Sequence, residues 1–482
     1  MINYFNFKQM DNRFLITNDF GNYSFLTNKQ FYNLLKDQMD PSDDDEKKTE
    51  LIEKGFIGIH GQEQFLTQHA NKLIDMKSYL FHAPSLHIFV VTTACNGDCV
   101  YCQAQSHHTG TGLMMEKETA EKAIDLVLSS PSPYITIEFQ GGEPLLNFDL
   151  IRFVVETVEQ KQTHKKINFS IVSNLTKITE EMITFFQEHQ ISISTSLDGN
   201  ADIQNYNRPM KNRQVAMYPG TISGIQKIQA HHVPIGAIQT TTAYSLTKAD
   251  EIVDQYVSLH LNSIFIRPLT PLGMAYEQWN QIGYDAEQFK DFYQQCMLKI
   301  LAYNKNGYFL VEGHARIFLK KILLQCAENY MELRSPCGAG LGQMAYYPNG
   351  DIYTCDEARM LAEMGNHAFK MGNVATATYQ NLISSNACSV VCKYSILESL
   401  PSCHQCVYQP YCGVCPVISY AAFHDVTEKY PNHYRCAVYK GILDVLFELI
   451  QSEENRKIFL SWIETCNKVD THIDDKRVNF LK

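Results

Sequence analysis

Residues 85–270 alternate between short β-rich apolar runs and segments with helical spacing, and this alternation limits the fold more than any other feature. Strands joined by helices pack as a parallel sheet with the helices on its outside. The two clearest helices are predicted over Lys117–Leu128 and Leu150–Val158. Six strands are predicted: Leu86–Thr93, Ile135–Phe139, Ile167–Val172, Ile191–Leu197, Ile235–Thr240 and Ile264–Pro268. We therefore expect an α/β fold whose sheet closes into a barrel or a partial barrel.

The most unusual short sequences of this region fall where predicted strands end. Parallel barrels place their chemistry at the carboxyl ends of their strands. After the first four strands come, in order, Cys95–Cys102, Gly141–Pro144, Ser173–Asn174 and Ser196–Gly199. Unrelated loops would not be expected to fall so regularly, so we expect one site built from these four loops.

The first of these loops carries three cysteines in the spacing C-x3-C-x2-C, at Cys95, Cys99 and Cys102. Three thiolates on one tight loop can bind three corners of a [4Fe–4S] cube. The fourth iron then has no protein ligand and can take a small molecule, as the open position of a catalytic metal site does. A zinc site is the alternative, but zinc normally takes four ligands and this loop offers three cysteines.

With Tyr101 before its last cysteine, this loop resembles the C-x3-C-x-aromatic-C signature of the radical S-adenosylmethionine (SAM) superfamily. The resemblance implies a partial (β/α)6 barrel of the TIM type. In that superfamily SAM chelates the open iron through its amino and carboxylate groups. An electron from the reduced cluster cleaves SAM, and the 5′-deoxyadenosyl radical that results abstracts a hydrogen atom from the substrate.

The same resemblance implies SAM-binding roles for residues at the strand ends. Gly141, Gly142 and Glu143 belong to a GGEP segment, which contacts the SAM amino group in such proteins, although a plain turn is the alternative. Glycines let the backbone approach a ligand closely, and a carboxylate can accept a hydrogen bond from an ammonium group. Tyr101 is expected either to pack on the adenine or to fill the loop. Positions near the SAM ribose and carboxylate are matched by Ser173, Asn174, Ser196, Asp198 and Arg208. Each of these five could instead be an ordinary strand-end cap.

The fifteen cysteines of the chain fall mainly in two regions, and none precedes the triplet. Cytosolic thiols stay reduced, so metal ligation explains this number better than a disulfide framework does. Nine cysteines lie between Cys337 and Cys436, which indicates a second metal region. Cys296, Cys326 and Cys466 lie within helical patterns and are predicted to be core residues.

The second region resembles the SPASM extension of radical SAM proteins, which carries two auxiliary [4Fe–4S] clusters. Its pattern is Cys337-x12-Gly350-x4-Cys355, then Cys403-x2-Cys406-x5-Cys412-x2-Cys415, then Cys436. The spacing before Cys415 departs from the family, which has x3 there. The resemblance implies a distal cluster held by Cys403, Cys406, Cys412 and Cys436, and a nearer cluster held by Cys337, Cys355 and Cys415.

The fourth ligand of the nearer cluster is left open by the sequence. Either one iron has no protein ligand, or Cys388 or Cys392 completes the set. These two cysteines are equally interpreted as free buried thiols, which are common. The alternative for the whole region is one or two zinc ribbons.

Residues 1–75 predict a small separate module. Phe14–Ile16 and Tyr23–Leu26 flank a turn-rich segment in a hairpin-like pattern. Thr27 begins a capping box before a short helix, and a second short helix follows a charged link over Pro41–Lys48. These elements indicate a winged-helix-like fold, which either caps the next domain or binds a peptide.

The rest of the chain is expected to divide into three parts. Residues 85–330 form the barrel with a helical connector over 285–330, and residues 331–440 form the SPASM domain. Residues 441–482 carry a closing carboxy-terminal helix over 441–465.

Composition and charge exclude several classes of function. The net charge of −11 argues against a nucleic-acid scaffold, whose surface would be basic. The sequence has no apolar run near the ~20 residues that span a bilayer, no secretory signal and no lipidation box. We therefore expect a cytoplasmic protein that binds neither nucleic acid nor membrane.

The overall resemblance is to maturases of ribosomally made peptides, most of all to the His-Xaa-Ser-system branch. It lies in the segments Phe139–Asp149, Ser194–Gly199, Asp356–Leu361 and Gln409–Gly413. The resemblance implies a precursor-peptide substrate, an electron donor such as flavodoxin or ferredoxin, and in some systems a partner maturase. Asp356 matches a proton-accepting aspartate of some SPASM enzymes, or is a turn carboxylate.

The expected reaction takes a hydrogen atom from the peptide and installs a carbon–carbon or carbon–heteroatom crosslink, with epimerisation as the second choice. A maturase that oxidises a residue of a full-size protein such as a sulfatase is one alternative. An iron–sulfur sensor or a structural zinc protein, with no catalysis, is the other.

Overall fold

The computed structural model describes residues 2–36, 45–58, 73–105, 112–161, 164–427 and 433–474. Half of the predicted link over Pro41–Lys48, residues 41–44, and the side chain of Cys466 lie outside the described residues. The other half of the link is not a link, because residues 45–48 form the start of the helix Asp45–Glu53.

The amino-terminal part forms a three-stranded antiparallel sheet. Its strands, in spatial order, are Asn6–Met10 (β1), Arg13–Thr17 (β2) and Tyr23–Thr27 (β3). Strands β2 and β3 are the predicted hairpin, whereas β1 is a third strand that the analysis of the sequence missed. Its residues, NFKQM, alternate burial and exposure but include only two large apolar side chains, so its pattern is weak.

Two helices cover this small sheet: Asn28–Leu35 (α1) and Asp45–Glu53 (α2). The capping box predicted at Thr27 is present, because the Gln30 N–H donates to Thr27 Oγ1 at 3.3 Å and the Thr27 N–H donates to Gln30 Oε1 at 2.8 Å. The rings of Phe14 and Phe31 stack 3.8 Å apart in a core that belongs to this part alone.

The second sheet has ten strands, most of them parallel. They are Leu86–Thr92 (β4), Tyr134–Gly141 (β5), Lys166–Ser173 (β6), Ser192–Ser196 (β7), Ile235–Thr240 (β8), Ser263–Arg267 (β9), Val311–Glu312 (β10), Gln343–Tyr346 (β11), Asp351–Tyr353 (β12) and Lys370–Asn373 (β13). The spatial order is β10-β9-β8-β7-β6-β5-β4-β11-β12-β13. Strands β4 to β9 match the six predicted strands, and β10 and β11 continue the parallel pairing on either side.

Helices alternate with these strands and pack on one face of the sheet. The helices up to residue 320 are Lys117–Ser129 (α3), Phe148–Gln160 (α4), Glu180–Glu188 (α5), Ala201–Asn207 (α6), Met217–Ala230 (α7), Ala249–Ser258 (α8), Met274–Glu277 (α9), Trp279–Ile282 (α10), Ala286–Lys305 (α11) and Gly313–Leu319 (α12). In α3, Ala120, Ala123, Ile124 and Val127 recur at helical spacing and are fully buried. They face a sheet whose alternate positions, such as Ile137 and Phe139, are also fully buried.

The region after residue 320 is more regular than its cysteine-rich sequence suggests. A π-helical turn, Lys320–Leu324, is followed by the helices Asp356–Glu363 (α13), Tyr379–Ile383 (α14), Asn386–Lys393 (α15), Pro416–Phe423 (α16), Tyr434–Leu449 (α17) and Glu453–Asp474 (α18). Strand β11 pairs directly with β4, so the sheet that carries the cysteine triplet continues into the second cysteine region.

Two expectations about the carboxy-terminal half need correction. The connector over 285–330 is not wholly helical, since it contains the two-residue strand β10, which is too short to leave a pattern in the sequence. The closing helix is two helices that break near Ser452, whose hydroxyl accepts from the Asn455 N–H at 3.4 Å. Among the described residues, no helix has the length and apolarity that a membrane crossing needs.

Candidate functional site

Cys95, Cys99 and Cys102 lie on the loop at the carboxyl end of β4. The Gly97 N–H donates to Cys95 Sγ at 3.3 Å. A Cβ atom added to Gly97 would lie 3.5 Å from Cys95 Sγ and 3.8 Å from Cys99 Sγ, so two of the thiols lie close to this residue. A backbone hydrogen bond also holds the loop, because the Asp98 N–H donates at 2.7 Å to the carbonyl oxygen of Pro209, in the segment that follows α6.

Burial opposes ionisation of two thiols of this loop, Cys95 and Cys99. Burial, with the charge of Glu143 second, raises the pKa of Cys95 to about 12, and burial also raises the pKa of Cys99. Both therefore stay protonated at neutral pH unless a cation takes the place of the proton, as iron does when a thiol becomes a ligand. The three thiols of this loop form no disulfide in the described part of the chain, so their number suits three corners of a cubane cluster.

The two glycines of the GGEP segment let it pack against the cysteine loop. A Cβ on Gly141 would lie 2.1 Å from the Thr92 carbonyl oxygen, and one on Gly142 would lie 2.3 Å from the Ala94 carbonyl oxygen. In addition, the Glu143 N–H donates to the Ala94 carbonyl at 2.8 Å. The strand ends of β4 and β5 are thus held together at a distance that only glycine permits.

Glu143, Ser173 and Asn174 form one hydrogen-bonded group beside the cysteine loop. The buried Glu143 carboxylate accepts from the Ser173 hydroxyl at 2.7 Å, the Asn174 N–H at 2.8 Å and the Leu145 N–H at 3.1 Å. Burial raises the pKa of Glu143, while these donors oppose the shift. The structure therefore brings together the predicted residues from the ends of β5 and β6, with Glu143 as their common acceptor.

Tyr101, Asp198 and Arg208 form a second group beneath the same loop. The Tyr101 hydroxyl donates to Asp198 Oδ2 at 2.6 Å, and Arg208 Nε lies 3.1 Å from the same oxygen. The Arg208 guanidinium also lies 5.1 Å from the centre of the Tyr101 ring. Tyr101 thus ties the loop to the end of β7, and the nearby Ser196 backbone carbonyl accepts from the Gln204 side chain at 3.1 Å.

The half-buried face of the sheet carries polar residues that the analysis of the sequence missed. Gln140 Nε2 donates to Glu138 Oε1 at 2.6 Å, and Arg359 donates to Gln140 Oε1 at 3.2 Å. Arg359 Nε also lies 2.8 Å from Asp356 Oδ1. Burial raises the pKa of Glu138, and the charge of Asp356 adds a smaller shift in the same direction. The available signal was the period of two, which puts positions 138 and 140 on the face opposite the buried strand residues.

The seven predicted auxiliary cysteines lie in two groups. Four of them line one cavity: Cys403, Cys406, Cys412 and Cys436. The other three, Cys337, Cys355 and Cys415, are buried, and burial raises the pKa of Cys355 and of Cys415. Cys415 also lines the cavity that the four cysteines of the first group line, so the two groups are adjacent.

Cys388 lies beside the segment that follows Cys337. A Cβ on Gly340 would lie 2.8 Å from Cys388 Sγ, and burial followed by the charge of Cys392 raises the pKa of Cys388 to about 11. In the described part of the chain, no three His, Cys, Asp or Glu side chains converge closely enough to hold a single metal ion.

Residues 89–265 match the model of the Radical SAM superfamily, which spans the sheet from β4 into β9. The chain is therefore an enzyme with a radical SAM domain.

Two sequence relatives of this chain have named activities. One is the radical SAM cyclopropyl synthase TigE of Paramaledivibacter caminithermalis, 21% identical over 359 residues that cover 71% of this chain and 69% of that protein. The other is the serine-type anaerobic sulfatase-maturating enzyme of Klebsiella aerogenes, 24% identical over 340 residues that cover 67% of this chain and 77% of that protein. This chain is similar to both over 67% or more of its length.

Two solved structures share the fold. The structure of anSMEcpe with bound AdoMet has a TM-score of 0.65 at 20% identity, and covers 77% of this chain and 99% of its own. Streptococcus suis SuiB bound to S-adenosylmethionine has a TM-score of 0.54 at 15% identity, and covers 89% of this chain and 98% of its own. Further structures hold anSMEcpe with the Kp18Cys peptide and SuiB with the precursor peptide SuiA.

Proposed function

We propose that this chain is a peptide maturase with a partial (β/α)6 barrel, which cleaves SAM and modifies a ribosomally made precursor peptide. The single observation that carries the proposal is the meeting of the three-thiol loop with the Glu143 group at the carboxyl ends of β4, β5 and β6.

Cys95, Cys99 and Cys102 would hold the [4Fe–4S] cluster, and the SAM bound there supplies a 5′-deoxyadenosyl radical that abstracts a hydrogen atom. Glu143, held by Ser173 and Asn174, presents a buried carboxylate beside the loop that can accept from the SAM ammonium group. Asp198 and Arg208 hold the loop through Tyr101. Because these groups are already bonded to one another, SAM would meet a site in which little has to rearrange.

Further SAM contacts are proposed from the remaining strand-end residues. Gly141 and Gly142 bring the backbone of the GGEP segment close to the cysteine loop, where it can face the cofactor. Ser196, half-buried at the end of β7, would lie on the ribose side of the same pocket. These roles extend the resemblance to the superfamily onto positions that share one edge of the sheet.

The second cysteine region is proposed to hold two auxiliary [4Fe–4S] clusters. Cys403, Cys406, Cys412 and Cys436 supply four thiols around one cavity, which fits a fully ligated distal cluster. Cys337, Cys355 and Cys415 supply three, with Cys388 next to the first of these segments as the candidate fourth. Clusters with tunable potentials could take the electron from a substrate radical and make the net reaction an oxidation.

Asp356 is proposed as the residue that accepts a proton from the substrate. It begins α13 directly after Cys355, and its partner Arg359 links it to Gln140 on the sheet. These contacts connect Asp356 to the half-buried face of β5, and a general base must lie within reach of the proton that it removes.

The peptide substrate is proposed from the amino-terminal module and from the neighbours. The alignment to SuiB covers 89% of the chain against 77% for anSMEcpe, and a structure of SuiB holds a precursor peptide. The module, residues 1–75, exposes Phe7, Tyr32 and Leu35 around its stacked core. A three-stranded sheet whose outer strands pair with no further strand among the described residues can bind a leader peptide as an added strand.

A crosslink is the product proposed first, and epimerisation second. The remaining proposals are a cytoplasmic location, a flavodoxin or ferredoxin as electron donor, and in some systems a partner maturase.

The test is anaerobic incubation of reconstituted protein with SAM, dithionite and a peptide encoded beside its gene. We expect release of 5′-deoxyadenosine and a peptide lighter by two mass units, roughly the loss of two hydrogens on crosslinking. Release of 5′-deoxyadenosine with an unchanged mass but acid-stable deuterium from the solvent in the peptide would identify epimerisation. Failure to detect 5′-deoxyadenosine under any condition would contradict the proposal that this site cleaves SAM.

A further inference from the structure

The amino-terminal sheet has one face on its own helices and the other face on the second cysteine region. On the first face, Phe14 and Phe31 stack in the small core of the module. On the second face, Leu15 is fully buried in the main core of the protein, and the Tyr23 ring meets the Phe447 ring of α17 edge-on at 5.4 Å. The sheet therefore forms part of the wall around the second cysteine region.

Asn6, on β1, bonds with the turn that carries two of the proposed distal ligands. This residue is 6% exposed, and its Nδ2 donates to the His404 carbonyl at 3.2 Å and to the Cys406 carbonyl at 3.3 Å. Because carbonyl groups only accept and the Tyr4 hydroxyl donates to Asn6 Oδ1 at 2.9 Å, the partners fix the orientation of this amide. The Cys406 carbonyl accepts from the Gln409 N–H as well, at 2.9 Å. Asn6 thus uses both hydrogens of its amide on this turn.

Thr17, on β2, bonds with the next carbonyl group of the same turn. This residue is fully buried, and its hydroxyl donates to the Val407 carbonyl oxygen at 2.6 Å. Asn6 and Thr17 lie directly opposite each other in the β1–β2 pair, so one cross-strand pair holds three carbonyl oxygens. The donors and the acceptors are 390 to 400 positions apart in the sequence, so this contact exists only in the folded protein.

The same turn reaches the cavity of the distal thiols. Cys403 and Cys406 line this cavity together with Cys412 and Cys436, and no residue of the described range 2–36 lines it. The turn thus meets the cavity through its cysteine residues and the module through its carbonyl oxygens. The reduction potential of an iron–sulfur cluster depends on its net charge and on the polar groups around it. The orientation of these carbonyl dipoles therefore matters to a cluster held by the four thiols.

We propose that Asn6 and Thr17 are positioning residues of the distal cluster, which hold the carbonyl oxygens of the turn on the side of the module and so keep the reduction potential of the cluster high. The inference rests on the proposed function, since it assumes a [4Fe–4S] cluster on Cys403, Cys406, Cys412 and Cys436. Without the two donors, the negative ends of these carbonyl dipoles are free to turn towards the anionic cluster, where they disfavour an added electron. The amino-terminal module then acts at the proposed electron acceptor besides any role in binding a peptide.

The test measures the reduction potential of the distal cluster in the cluster-loaded protein. Reductive titration followed by electron paramagnetic resonance gives a signal for each reduced cluster, and the signal lost in Cys436→Ala but kept in Cys355→Ala identifies the distal one. Asn6→Leu and Thr17→Val remove the donors and keep the volumes of the side chains. Each should lower the midpoint potential of the distal cluster by about 59 mV, a tenfold change in a one-electron equilibrium. The potential of the cluster on the Cys95 loop should not change.

Two further variants separate positioning from a general loss of stability. Thr17→Ser keeps the hydroxyl and should keep the wild-type potential. Ser24→Ala removes a buried hydroxyl that donates to Glu50 of the module's own helix α2 at 2.9 Å, so it should lower the melting temperature and leave the potential unchanged. Wild-type potentials in both Asn6→Leu and Thr17→Val would overturn the proposal, and so would an equal shift in Ser24→Ala.

Iron content and melting temperature show whether each variant carries its clusters and folds. Loss of the distal signal from a folded Asn6 or Thr17 variant, with the Ser24→Ala control intact, also supports the proposal. The two hypotheses fail separately. A wild type without any signal that depends on Cys436 contradicts the proposed distal cluster itself, whereas a distal signal that is indifferent to both donors contradicts only the role of Asn6 and Thr17.

Discussion

The two cysteine regions differ in how the chain brings their thiols together. The first uses a single loop, Cys95–Cys102, on the end of one strand. The second gathers its thiols from separate segments, among them Cys355 before α13, Cys415 before α16 and Cys436 within α17. A local site depends on a few turns, while a distributed site depends on the packing of every element that contributes to it.

The supports of the two regions differ in the same way. Beneath the first loop, Tyr101 and Asp198 form one compact bonded group with Arg208. In the second region, the buried Lys321 donates to the Leu333 carbonyl at 2.5 Å and to the Tyr411 carbonyl at 2.7 Å, and so joins two distant segments. This lysine is buried, and burial lowers the pKa of Lys321 to about 8.

The largest expected effect breaks the local site alone. Combined Cys95→Ala, Cys99→Ala and Cys102→Ala changes should lower 5′-deoxyadenosine formation to the level of a blank without enzyme, because three ligands of the proposed SAM-binding cluster are gone. Iron should fall by about a third if three four-iron clusters are present. The measurements are chromatography of the nucleoside and iron analysis. Residual cofactor cleavage would contradict the assignment of this loop.

The next effect separates the distributed site from the local one. Cys355→Ala should leave SAM cleavage in place but lower the yield of modified peptide by about tenfold or more, since the proposed electron acceptor is damaged. The control is Cys296→Ala, which alters a buried cysteine of α11 outside both regions. Mass spectrometry of the peptide beside nucleoside analysis gives both quantities. Equal product from the variant and the control would argue against an auxiliary cluster on Cys355.

The junction between the regions can be tested through pH. His87 on β4 is bonded to the Tyr346 hydroxyl on β11 at 3.0 Å, and burial lowers the pKa of His87 to about 4. The unfolded chain therefore binds this proton from pH 6.5 downwards and the folded chain does not. Stability is full above pH 6.5 and falls as the pH drops towards 4, by on the order of 3 kcal/mol from this residue.

Urea unfolding of the wild type and of His87→Gln at several pH values measures this contribution. The difference between the two proteins cancels the titration of every other group, including the buried His314. The free energy of unfolding should fall more steeply with acid in the wild type. Parallel pH profiles would show that His87 does not stay neutral in the folded protein.

The smallest effect concerns the support of the local loop. Tyr101→Phe removes the donor to the buried Asp198 and should cost about 1–3 kcal/mol of unfolding free energy. Tyr244→Phe is the matched control, because its hydroxyl donates to the exposed Asp202 at the same distance of 2.6 Å. The control should change stability by less than about 0.5 kcal/mol. Equal costs in urea unfolding would mean that burial does not strengthen the Tyr101 bond.

The sequence could predict features that a short stretch of chain encodes by itself. The cysteine triplet, the GGEP turn and the Thr27 capping box each depend on residues a few positions apart, and six strands showed their apolar runs. It could not reveal β10, which has only two residues, or β11, which pairs with β4 from far along the chain. Nor could it show that Glu138, Gln140 and Arg359 meet, since no local pattern connects the strand to α13.

By itself, therefore, the sequence determined the class of chemistry, because three thiols on one loop need no distant partner to form a ligand set. Only the tertiary structure decided what surrounds that loop: Glu143 shared by two strand ends, and Asp198 bonded to Tyr101 and close to Arg208. The physical reason is burial. Whether a polar side chain has a partner depends on which elements pack over it, and that is settled only when the sheet and its helices come together.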